Sequence, residues 1–94
     1  MGMRIYTKVL IAGSEFILTD SYQALMISFQ VSAGTSDSAS YVGNFNNPVN
    51  GDAAETITLT AGQGRVFVSS NPQKPVSGIT ITCITGTVAI DIGY

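Results

Sequence analysis

GITITCITGTVAIDIGY, residues 78–94, carries the reading of the fold. Ile79, Ile81 and Cys83 alternate with Thr80 and Thr82, and beyond Gly86 the residues Val88, Ile90 and Ile92 alternate with Ala89 and Asp91. A period of two is what a strand shows when one face meets a core and the other meets water. Two such runs flanking Thr85-Gly86 predict a closing hairpin. It sets Cys83 against Val88, Ile81 against Ile90 and Ile79 against Ile92, with all six on one face. A two-residue loop would force the β-branched Thr85 to positive φ, so a four-residue loop from Ile84 to Thr87 is the better turn.

The same pattern recurs upstream. ETITLTAGQGRVFVSS (55–70) reads as strand, glycine-flanked turn and strand, with Ile57 opposite Val68 and Leu59 opposite Val66 around a loop at Ala61 to Gly64. The threonines at 56, 58 and 60, like Thr80 and Thr82, alternate outward and predict two threonine-studded faces. Within ALMISFQVS (24–32), Leu25, Ile27, Phe29 and Val31 share one face. MRIYTKVLI (3–11) and EFILT (15–19) predict an initial pair of strands. The stretch KVLIAGSEFIL is apolar enough on both faces to be enclosed or to lie against a neighbour. A short strand follows at SYVG (40–43).

The longest window with helical character, Asp20 to Met26, is too short to stand alone. SAGTSDSAS (32–40) and GNFNNPVNGDAAE (43–55) have the composition of turns and loops, and Pro72 and Pro75 suit a crossing between sheets. The expectation is an all-β, single-domain (1–94) antiparallel β-sandwich or jelly-roll-like barrel of about seven or eight short strands, with little or no helix.

Composition narrows the function. Apolar residues make up 45% and charged residues 11%, so Ser, Thr, Asn, Gln and Gly must cover most of the surface. The net charge is −2 and the four cations, Arg4, Lys8, Arg65 and Lys74, are scattered. Nucleic-acid binding lacks the clustered positive charge that phosphates require. No apolar run is long enough for a membrane-spanning helix, and no secretory leader is read at the start. The single Cys83 excludes an internal disulfide and suits a reducing cytoplasm; its alternation with Ile79 and Ile81 predicts a buried, inert thiol.

The chain has no histidine. That removes the commonest general base and transition-metal ligand, and with them Ser-His-Asp and Cys-His nucleophiles and a structural zinc site. The carboxylates Glu15, Asp20, Asp37, Asp52, Glu55 and Asp91 are the remaining supply for acid-base work, and nothing in their spacing sets a pair in a cleft. Asn50, Asp52 and Glu55 offer oxygens for Ca²⁺ but lack the alternating ligands of an EF-hand loop; solvated loop charges describe them better. The glycines of AGQGR lie in a turn between strands and not ahead of a helix, so they are not a phosphate cradle. The chain is expected not to be an enzyme. The candidate contact residues are Tyr41, Phe45, Asn46 and Asn47, with Tyr22. Their rings could form a platform for a sugar and their amides could bind hydroxyls, although aromatics that close the ends of a core would look the same in sequence.

ISFQVSAGTSDSASYVGN (27–44), followed by ETITLTAGQGRVFVSSNPQKPVSGITITCITGTVAIDIGY (55–94), resembles small structural proteins of tailed-bacteriophage virions, of the kind that decorate capsids or form head fibres and tail attachments. The resemblance covers residues 24 to 94 in style and rests on no motif with a mechanism. It implies a β-sandwich working as a homo-oligomer, a trimer by preference, among other virion proteins. It also implies assembly in the host cytoplasm, with no cofactor and no catalytic residues. The different expectation drawn from Tyr41, Phe45 and the asparagines is a carbohydrate- or receptor-binding β-module.

Overall fold

A computed structural model describes residues 4–43, 56–69 and 75–94 of the chain. Among them are eight strands: β1 (Ile5–Ile11), β2 (Glu15–Leu18), β3 (Met26–Val31), β4 (Ser38–Gly43), β5 (Ile57–Thr60), β6 (Gly64–Val68), β7 (Ile79–Thr85) and β8 (Thr87–Gly93). The helical content of the described residues is one 3₁₀ turn, Asp20–Tyr22, ended by Gln23 in the left-handed region.

The strands form two four-stranded antiparallel sheets, ordered β1-β8-β3-β6 and β2-β7-β4-β5. Between successive described strands the chain changes sheet every time but once, from β4 to β5, whose strands pair directly. This winding is the jelly roll, and the expected all-β class with little helix is observed.

The core lies between the sheets. From the first sheet come Leu10, Ile27, Phe29, Val31, Val88, Ile90 and Ile92; from the second come Phe16, Leu18, Ala39, Tyr41, Leu59, Ile79, Ile81 and Cys83. No polar or charged residue among those described is buried. Alternation makes this possible, since each strand contributes every second side chain to a dry interior where hydrocarbon burial is the main stabilising term.

Three expected pairings are corrected. The segment 78–94 is not a hairpin, because β7 lies between β2 and β4 in one sheet while β8 lies between β1 and β3 in the other. Ile79, Ile81 and Cys83 therefore face Val88, Ile90 and Ile92 across the interior instead of beside them. Only Gly86 separates the two strands, with φ of 85°, a conformation that glycine adopts freely. The segment 55–70 divides in the same way: Ile57 and Leu59 pair with Tyr41 and Ala39, while Val66 and Val68 pair with Ser28 and Met26. Strands β1 and β2 also belong to different sheets. In each case the apolar alternation is satisfied equally by a hairpin under a separate cover and by two strands that cover each other. The second arrangement buries both rows at once, and it prevails.

Beside the β7–β8 corner, the Asp37 carboxylate accepts hydrogen bonds from the Ser32 hydroxyl and from the Gly34 amide at 2.9 Å. The Thr87 amide donates to Ser32 Oγ at 2.9 Å, and the Ser32 amide donates to the Thr87 carbonyl at 2.9 Å. The loop after β3 is thereby tied to the point where the chain crosses sheets. A side chain at Gly86 would run into the Asp37 carboxylate.

Candidate interaction surface

The two outer faces differ in chemistry. On the second sheet, Ser40 pairs with Thr58 and Thr82, Ser38 with Thr60, and Thr82 with Glu15. The expected pair of threonine faces is thus a single hydroxyl-rich face, because β5 and β7 share one sheet. The other sheet presents ordered rows across β1, β8, β3 and β6. The first is Ile5, Gly93, Met26 and Val68; the second Thr7, Asp91, Ser28 and Val66; the third Val9, Ala89, Gln30 and Gly64.

On that second kind of face, large aliphatic side chains stand in water. Ile5 is 56% exposed, Val9 58%, Ile11 65%, Val66 62% and Val68 68%. They form two ridges, on β1 and β6, flanking a floor of β8 and β3 residues in which Gly93, Ala89 and Ser28 lie beside Asp91, Met26 and Gln30. The floor holds a shallow depression of about 290 Å³ lined by Ser28, Gly64, Ala89 and Asp91 with Gln30 and Arg65 at its side. Asp91 accepts a hydrogen bond of 2.9 Å from the Thr7 hydroxyl. Such a face keeps apolar area in water, and covering it would stabilise by about 25 cal/mol per Å² of apolar surface removed.

The aromatic residues are placed otherwise than a sugar platform requires. Tyr41 is buried, 6% exposed, with its ring 5.2 Å from Phe29 and 5.9 Å from Phe67. Tyr22 packs edge-on to Phe16 at 5.5 Å and lies 6.2 Å from Tyr6. These are two core-closing clusters, the alternative that the sequence left open. Phe45, Asn46 and Asn47, and with them Asn50, Asp52 and Glu55, lie outside the described residues.

Cys83 is fully buried, and burial, followed by the nearby Asp37 charge, pushes its thiol pKa up, so the nucleophilic thiolate is disfavoured. Its Sγ contacts the Gly86 carbonyl at 3.3 Å. Among the described residues no three His, Cys, Asp or Glu side chains gather where a metal ion could be held, and no helix is long and apolar enough to cross a membrane.

Sequence reasoning missed the ridge residues Val66 and Val68, which it turned inward. The signal for the β1 ridge was present in the two-sided apolarity of KVLIAGSEFIL.

No protein-family model matches the chain, and no curated protein matches it in sequence. Solved structures do match in fold. An RmlC-like cupin protein from Desulfovibrio desulfuricans superposes with a TM-score of 0.56 at 15% identity over 98% of this chain and 71% of that one. RmlC from Streptococcus suis, solved with dTDP-D-xylose, gives 0.55 at 6% identity over 98% of this chain and 43% of its own. The SPBc2 prophage-derived protein YomS gives 0.52 at 12% identity over 98% and 93%. The fold is therefore a jelly roll like that of these cupin and prophage-derived proteins, and the described side chains that face the inside of the roll in this chain are apolar.

Proposed function

We propose that this chain is a non-enzymatic structural protein of the tailed-bacteriophage virion type, attached to a capsid, head fibre or tail through protein contacts made by the outer face of the β1-β8-β3-β6 sheet. The observation that carries the proposal is that face: five aliphatic side chains more than half exposed, one carboxylate in the rows between them, and a filled interior behind. Among the described residues no polar or charged side chain is buried, which leaves the outer faces to carry recognition. The likeness in fold to a prophage-derived protein of nearly the same extent, and the resemblance of residues 24–94 to virion structural proteins, support the same reading.

Co-sedimentation with intact tailed-phage particles, and with their separated heads and tails, is the test. The chain is expected to pellet with one fraction, and the double substitution Val66→Lys, Val68→Lys to leave it in the supernatant while the fold is unchanged. Failure to pellet with any fraction overturns the proposal, as does pelleting that ignores the double substitution.

A further inference from the structure

Among the described residues the jelly roll leaves four sheet edges, those of β1, β6, β2 and β5, and they are not equivalent. At the β5 end the Thr60 amide donates to the Gln63 side chain at 2.9 Å. On β6 the Arg65 guanidinium donates to the Gly64 carbonyl at 2.8 Å. Strand β2 is only four residues long. Strand β1 runs seven residues without proline, and its register with β8 is continuous from Ile5 to Ile11, so no bulge turns it away. Long, flat, apolar edges are what folded proteins normally avoid, since each is a template for another strand.

The direction of the β1 backbone follows from its partner. Arg4 and Tyr94 exchange both backbone hydrogen bonds at 2.8 Å, and the Gly93 carbonyl turns the other way to accept from Leu25 at 2.7 Å. Antiparallel pairing alternates, so Tyr6, Lys8 and Leu10 bond β8 while Ile5, Thr7 and Val9 point their N–H and C=O groups to the open side. Among the described residues no strand takes them up. Ile5 and Val9 also carry exposed aliphatic side chains, so among the described residues neither backbone nor side chain at these positions is covered.

We infer that a second copy of this chain fills that edge: β1 pairs antiparallel with β1 of the second copy about a two-fold axis at Thr7, giving one continuous eight-stranded sheet. The register is selected by side-chain chemistry. Backbone direction permits only pairings of odd-numbered with odd-numbered residues. Centring on Thr7 sets Thr7 against Thr7, Ile5 against Val9, and Tyr6 against Lys8. The exposed aliphatics then cover each other, and each ammonium meets a tyrosine ring. Centring on Lys8 sets like charges face to face, and centring on Val9 drives Ile5 beyond the end of the strand. Lys8, an inward-facing charge that would ordinarily protect an edge, discriminates between registers here. The contact is isologous, so it closes at two copies instead of the three that the virion resemblance implies. About six backbone hydrogen bonds would form between the copies.

Sedimentation velocity across a concentration series reads the result. A mass of twice 9.8 kDa is expected. Val9→Pro removes an N–H aimed only at the open side, where an edge strand tolerates proline, and is expected to weaken dimerisation by roughly tenfold or more. Thr7→Cys is expected to give a disulfide-linked dimer on mild oxidation, read on the folded protein with Cys83 enclosed, and it decides the matter even if Val9→Pro does not fold. A monomer at every concentration, a closed trimer or an open polymer overturns the inference. So does ready cross-linking of Lys8→Cys with none of Thr7→Cys. The inference does not rest on the virion reading: a dimer that pellets with no phage fraction retains this edge and loses that function.

Discussion

At the scale of single residues the interior is the most demanding part of the molecule. Ile81 and Ile90 are fully buried in opposite sheets, so truncation leaves a void that neighbouring strands cannot close. Ile81→Ala and Ile90→Ala are each expected to cost about 2–5 kcal/mol in a denaturant titration. Losses below about 1 kcal/mol would place those side chains outside the core. Cys83 gives a second check. With its thiol enclosed and its pKa raised by burial and by Asp37, it is expected to resist thiol reagents at neutral pH in the folded protein and to react at once in denaturant. Labelling of the native state at the unfolded rate would contradict the placement. All three positions were legible in the sequence, because alternation alone states which residues of GITITCITGTVAIDIGY turn inward.

At the scale of elements, alternation states which face is buried but not which strand lies alongside. Every pairing expected for 55–70 and 78–94 joined neighbours in sequence, yet β8 pairs with β1 and β3, and β7 with β2 and β4. Hairpin and sheet crossing differ locally by little more than the turn at Thr85-Gly86-Thr87, and one glycine of positive φ serves either. Nuclear Overhauser contacts separate them directly. Ala89 is expected to show cross-strand contacts to Val9 and Gln30, with no ladder between Cys83 and Val88. A ladder there would restore the hairpin. For β6 the phase itself was misread. Arg65, Val66 and Val68 are exposed and Phe67 packs against the core with Phe29 and Tyr41, so one aromatic outweighs two valines in setting the inward face.

At the scale of the whole molecule the two outer faces differ: one is rich in hydroxyls around the exposed Ile17 and Ile84, and the other carries five aliphatic side chains more than half exposed, the surface proposed for protein contact. Val66→Lys with Val68→Lys is expected to lower binding of a hydrophobic dye such as ANS to the folded protein while moving the unfolding midpoint little, since neither side chain contributes to the core. A large drop in midpoint would show instead that the valines support the fold. How these faces form marks the division between chain and fold. By itself the sequence determined the all-β class, the inward rows of β3, β7 and β8, the absence of histidine chemistry and the buried thiol, because period, composition and residue type are local properties. Only the tertiary structure decided that β1 and β6 border the same sheet, that their aliphatic residues form ridges on either side of β8 and β3, and that Tyr41 is buried against Phe29 and Phe67. Those facts depend on contacts between residues as distant as Thr7 and Asp91, and the free energy that selects them is the joint burial of two apolar rows that no single segment can bury alone.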